Sequence, residues 1–277
     1  MTYLILAILS SAAVSLVMRL GVNHVRNNIS MLAAGYLSCT ILALIHTGIG
    51  RASLSPEGLP VTAALALTAG FLLLAGFVML QLSVKLNGVI LSGTFAKLGV
   101  LVPTLISVIF FGERPKLIQA TGFLLSVAAI LLMNSDKNGG KAGSRTVLLF
   151  LMLSNGLADS MSKIYEELGR ADLQELYLLL SFLFAFLLSL VLVFFKKQRL
   201  TPADALYGLL LGIPNYYSAR FLIKALGTVP AVVAYPSYSV ATILVITAAG
   251  ILLFREKLSR RQTSAMIIIL AALLLLN

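Results

Sequence analysis

The chain has 277 residues, 59% of them hydrophobic and only 11% charged, with 21 Lys and Arg against 10 Asp and Glu and a formal net charge of +11. A water-soluble domain is charged at about a quarter of its positions, so this composition excludes one. It leaves an integral membrane protein built of helices, which satisfy their own backbone hydrogen bonds in hydrocarbon. The positive charge sits in short clusters between apolar runs, a pattern of membrane topology that argues against a nucleic-acid partner.

Apolar runs broken by Gly, Pro and charge predict ten spans, the first over residues 3–20. No basic segment precedes that run and no small-residue cleavage site follows it, so it reads as a span and not as a removable signal peptide. Ser11 and Ser15 make a short hydroxyl stripe along it. The second span, 30–49, holds Tyr36 and the single cysteine, Cys39, which excludes an internal disulfide. His24 and His46 lie near span ends and suggest neither a metal site nor catalysis. The third span covers 60–83 and the fourth 88–111, with Lys97 and Pro103 inside the latter. The fifth, 115–133, ends at a polar Gly-rich linker over 135–145.

The sixth span, 146–165, carries Asn155, Asp159 and Ser162 at i, i+4 and i+7, one stripe of a helix. The seventh covers 175–195. In the eighth, 204–225, Tyr216 stands one turn before Arg220 and Pro214 interrupts the run. The ninth, 229–254, places Tyr235, Tyr238 and Thr242 on one face around Pro236, and the tenth covers 258–276. Each interior proline removes a backbone hydrogen bond and predicts a kink or hinge.

Residues 88–134 and 231–277 superpose without a gap at an offset of 143. Val89, Leu101, Thr104, Phe111, Glu113 and Gln119 meet Val232, Leu244, Thr247, Phe254, Glu256 and Gln262. The chain is therefore a duplication, with one repeat over 1–134 and the other over 146–277. Five spans per repeat is an odd number, so the second copy enters the bilayer from the opposite side. The expected fold is an all-α membrane protein of ten transmembrane helices in two inverted five-helix repeats, an arrangement that places substrate sites near the midplane. Loops on the side reached after the first span hold thirteen Lys and Arg against six on the other, which predicts a cytoplasmic first side and external termini in the cell (inner) membrane.

Charges inside spans are costly enough to mark function. Lys97 lies about nine residues into its helix, roughly 12–14 Å deep, and Asp159 and Arg220 lie roughly 21–25 Å deep at 1.5 Å per residue. By this arithmetic Asp159 and Arg220 share a level and could pair, which would leave Lys97 without a carboxylate at its own level. A buried ammonium in that position attracts an anionic group or loses its proton. The alternative is that Lys97 reaches across to Asp159, or snorkels.

Both repeats close a span on one phrase, Phe110-Phe111-Gly112-Glu113-Arg114 and Leu253-Phe254-Arg255-Glu256-Lys257, each followed by a Gln and a further span. In this the chain resembles the EamA-type members of the drug/metabolite transporter superfamily over essentially its whole length. The resemblance implies ten helices in two repeats, a cavity between the halves, and export or exchange of small metabolites. Val233-Ala234-Tyr235-Pro236-Ser237-Tyr238-Ser239 is also similar to the aromatic-bearing third helix of the small multidrug resistance family, with Tyr238 where a Trp usually sits. That family carries an intramembrane Glu where this chain has Ser11, and Ser154 at the repeated position, so its usual carboxylate is missing here. Glu113 and Glu256 read as residues that accept hydrogen bonds from the start of the next helix, with gating as the alternative.

These observations predict a secondary transporter of a small organic metabolite, an amino acid or a similar zwitterionic or anionic compound, working by alternating access. Lys97 would hold an anionic group, and Asp159 an amine or the coupling proton. Tyr235 and Tyr238 would pack the apolar part, with Asn155, Ser11, Ser15, Tyr216 and Arg220 completing the lining. The alternatives are an exporter of organic cations such as quaternary ammonium compounds, held by Asp159 and tyrosine faces, and a flippase for a lipid or lipid precursor. No H-E-x-x-H or nucleophile elbow is present, so no enzyme is expected, nor any metal or cofactor. The expected partners are the small-molecule substrate and the lipid bilayer, with homodimerisation left open.

Overall fold

The computed structural model describes residues 1–21, 23–47, 58–87, 89–133, 144–254 and 260–276. Among them are eleven α-helices: α1 (Thr2–Gly21), α2 (Asn28–Thr47), α3 (Leu59–Asn87), α4 (Val89–Leu98), α5 (Leu101–Phe110), α6 (Leu117–Met133), α7 (Arg145–Leu168), α8 (Gln174–Phe195), α9 (Pro202–Leu226), α10 (Ala231–Phe254) and α11 (Arg260–Leu276). No strand occurs among the described residues. α1, α2, α3, α7, α8 and α10 are each long and apolar enough to cross a bilayer, and shorter apolar helices cover Phe95–Phe110, Leu117–Leu132 and Thr263–Leu276.

Ten predicted spans become eleven helices because the fourth is broken at Gly99 and Val100. Pro103 has no N–H to return to the carbonyl of Gly99, and its ring crowds that oxygen. The freed carbonyl accepts the Val102 N–H at 2.9 Å, one residue short of an α-helical bond, and the Gly99 and Val100 N–H groups reach back to Ala96 and Lys97 at 3.3 Å. Apolar composition runs unbroken through this point, so hydropathy alone reads one span. At Pro214 and Pro236 the helices continue through the proline. α3 is longer than its predicted run, extending through Lys85 to Asn87.

The repeat offset recurs in the helix register. α1 and α7 begin at Thr2 and Arg145, α3 and α9 at Leu59 and Pro202, and α6 and α11 cover Leu117–Met133 and Arg260–Leu276, all 143 residues apart. A 3₁₀ turn over Ala171–Leu173 stands where the offset places the start of α2.

The helices gather into two compact units, each drawing on both repeats. The first unit comprises Ala75–Lys163 and Ala225–Asn277 with Met1. Within it α6 packs on α11, and α10 on α5, α6 and α11. Leu117 and Leu274, on α6 and α11, are 84% and 82% exposed, apolar surface that suits contact with lipid. The second unit comprises Thr2–Leu74 and Ile164–Lys224, with α2 packed on α8. α2 and α9 also approach closely there: Cys39 donates its thiol hydrogen to the Gly212 carbonyl at 3.2 Å, and a Cβ at position 212 would meet the Gly35 carbonyl oxygen and the Ser38 side chain.

Candidate functional site

In the first unit the α4–α5 break lies directly against α7. A Cβ on Gly156 would stand 2.5 Å from the Gly99 carbonyl oxygen and from Val102 side-chain carbons. This glycine contact brings the last turn of α4, with Lys97, close to the middle of α7, with Asp159. No ion pair or hydrogen bond joins them, and among the described residues neither charged end has another direct partner. Asp159 is exposed and Lys97 half-buried.

Of the two expectations for Lys97, the glycine contact favours the one that turns it toward Asp159. The broken helix ends at Leu98, so depths counted along a straight helix do not apply. Asn155, one turn before Asp159, is half-buried with its Oδ1 against Gly76 of α3. Tyr235 is 1% exposed and donates its hydroxyl to the Asp159 main-chain carbonyl at 2.8 Å, tying α10 to α7 beside the carboxylate. Tyr238 is half-buried on α10. Lys97, Asn155, Asp159, Tyr235 and Tyr238 thus belong to one unit.

Ser11, Ser15, Tyr216 and Arg220 belong to the other. Arg220 donates from Nε to Glu175 Oε1 at 2.7 Å, and Tyr216 donates to Glu175 Oε2 at 2.9 Å. This replaces the expected pairing of Arg220 with Asp159. The His46 ring lies 5.4 Å from that of Tyr216 and 5.8 Å from that of Tyr217. Arg220 and Tyr216 therefore tie α9 to the start of α8 and, through His46, to the end of α2, and their polar groups face a protein carboxylate. Ser11 and Ser15 are half-buried on α1.

Glu113 acts as a helix cap, but for α10 and not for the helix that follows it in sequence. Its Oε1 and Oε2 accept the Ala231 and Val232 N–H groups, each at 2.9 Å. These donors open α10 and have no partner within the helix. Lys163 of α7 completes the cluster with Nζ 3.2 Å from Oε1 and 5.8 Å from the centre of the Phe111 ring. Charge counting by loops places Lys163 outside the membrane, yet it is 4% exposed inside α7. Glu256 lies outside the described residues.

Sequence reasoning missed Glu175 and Lys163 as partners. α8 and α9 are consecutive, so residues early in one and late in the other share a level. That arithmetic matches Glu175 with Arg220. Lys163 carries no comparable signal, because Glu113 lies on a segment with no fixed depth.

The EamA-like transporter family's sequence profile matches residues 1–135 and 146–277, and the chain belongs to that family. A Haemophilus influenzae relative, described only as an uncharacterized protein, is 24% identical over 197 residues, covering 69% of this chain and 67% of its own. A solved crystal structure matches 99% of this chain and 94% of its own at a TM-score of 0.78 and 15% identity, a likeness of fold. Family membership makes the chain a multi-pass membrane transporter of small molecules and not an enzyme.

Proposed function

We propose that the chain carries a small zwitterion, an amino acid or a compound of similar charge, with Lys97 taking its anionic end and Asp159 its ammonium. The observation that carries this reading is the separated pair: the Gly99–Gly156 contact draws together the helix segments that bear the two opposite charges, and no ion pair or hydrogen bond joins them. A zwitterion laid between them supplies each with a direct partner, so net charge in the membrane stays near zero through the cycle. Asp159 also serves as the candidate proton acceptor when the site is empty. Tyr235 holds the Asp159 backbone, and Tyr238 and Asn155 are the neighbouring contacts for the rest of the ligand.

Transport by alternating access of two inverted repeats is part of the same proposal. Its support is that equivalent helices of the two repeats meet each other, α2 with α8 and α6 with α11, as elements beside a two-fold axis do. The Lys and Arg bias supports external termini in the inner membrane.

The test is counterflow of labelled amino acids in proteoliposomes. Wild-type uptake should saturate, and Lys97→Ala and Asp159→Asn should each reduce it strongly. If an organic cation is the true cargo, wild type should show counterflow of a labelled quaternary ammonium compound and not of amino acids, with Lys97→Ala near wild type and Asp159→Asn inactive toward it. Normal amino-acid transport in both variants would overturn the assignment.

A further inference from the structure

We propose that the second unit carries a docking site for the headgroup of an anionic phospholipid, built from Arg26, Lys196, Lys197 and Arg199. These residues lie on the α1–α2 and α8–α9 connections, far apart in sequence, and Asp204 staples the two together. Its Oδ1 accepts the Arg26 and Asn27 N–H groups at 2.9 and 3.2 Å, and Oδ2 accepts the Thr201 N–H at 3.1 Å. The Asn27 side-chain amide donates to the Arg199 carbonyl at 2.8 Å.

The staple leaves a charge imbalance. Asp204 is fully buried, and its oxygens are committed to backbone donors. Arg26, Lys196, Lys197 and Arg199 are all exposed, and among the described residues none of their side chains makes an ion pair or hydrogen bond. Four cations therefore face outward around one carboxylate that none of them reaches.

The end of α8 adds an independent sign. The Gln198 N–H returns to the Val193 carbonyl at 3.0 Å and the Lys197 N–H to the Phe194 carbonyl at 3.0 Å, the paired bonds of a Schellman ending. Its left-handed position, normally Gly, is held by Lys197 at φ 49°, the one non-glycine with positive φ among the described residues. A lysine kept where glycine costs less points to a use for its charge. Directly before it, Phe194 and Phe195 are 81% and 76% exposed. Aromatic rings at acyl depth under a cluster of cations at headgroup depth hold a lipid by both of its parts, which a soluble anion cannot exploit.

The test counts lipids retained by the purified full chain in native mass spectrometry after exchange into phosphatidylglycerol or phosphatidylcholine, and records Tm in detergent with each lipid or with inorganic phosphate. Wild type should keep phosphatidylglycerol preferentially and gain Tm from it alone. Lys196→Gln combined with Arg199→Gln should lose that preference several-fold. Lys197→Gly should raise Tm in plain detergent while weakening retention, which separates charge from folding. Equal retention of both lipids by wild type, unchanged preference in the variants, or the same gain in Tm from phosphate would each overturn the proposal.

Discussion

Arg220 and Glu175 form a part-buried ion pair in which Nε stands 2.7 Å from Oε1, with side chains 18% and 22% exposed. Tyr216 occupies the other carboxylate oxygen, so a single acid on α8 holds two residues one turn apart on α9. Removing the carboxylate strands the guanidinium. Breaking a fully buried pair costs about 3–5 kcal/mol, and partial exposure reduces this to about 1–3 kcal/mol for Glu175→Gln. Glu175→Gln with Arg220→Met should recover much of that loss, since no uncompensated charge remains. Thermal unfolding of both single variants and the double in detergent decides the matter; additive losses would mean that the pair contributes nothing of its own.

Glu113 answers two demands at once, the N–H groups that open α10 and the ammonium of Lys163. Glu113→Gln keeps one acceptor oxygen but removes the carboxylate charge that faces the buried Lys163, a loss of about 3–5 kcal/mol for breaking a buried pair. Lys163→Met should cost less, because the helix start still compensates the carboxylate. The predicted order of Tm is wild type, then Lys163→Met, then Glu113→Gln. The reverse order would show the lysine to be the anchor.

Much of the architecture was legible because apolar length and repetition are written directly in the chain. The doubled Glu113 and Glu256 phrase marked a shared role, and the structure supplies that role for Glu113: a carboxylate from one repeat opening a helix of the other. Pairings inside the membrane were less legible, for a physical reason. Depth counted along a helix assumes a straight, unbroken rod, and Pro103 with Gly99 breaks that rod two residues after Lys97. The same counting failed for Arg220, whose partner sits at the head of an otherwise uncharged run, where a single Glu looks like a loop residue.

Gly156 is the contact on which the α4–α5 junction rests. The added Cβ of Gly156→Ala meets backbone oxygen and Val102 carbons at 2.5 Å, and neither can rotate aside. Overpacking of this kind costs about 1–3 kcal/mol. Gly76→Ala meets only the Asn155 side-chain oxygen, so it should cost less. Gly156 lies three residues before Asp159 and its contact, Gly99, two after Lys97, so Gly156→Ala should also weaken substrate affinity by separating the two charges. Tm and the KM for uptake, compared between the two variants, test this. A larger effect from Gly76→Ala would contradict the packing argument.

The assignment of Lys97 and Asp159 to opposite ends of one substrate makes a prediction that a general loss of folding cannot imitate. Charge-assisted hydrogen bonds contribute about 1.5–3 kcal/mol, so an analogue lacking the amine should compete roughly 10–100-fold less well against wild type. In Asp159→Asn that penalty should shrink, because the carboxylate that recognised the amine is gone, while the penalty for a missing carboxylate persists. Lys97→Gln should show the opposite pattern. Competition by the two analogues against both variants gives four penalties, and only the crossed pattern fits a zwitterion held at both ends. Equal penalties in the two variants would place the ligand's charges elsewhere, because a distorted pocket weakens both analogues together and cannot exchange their order.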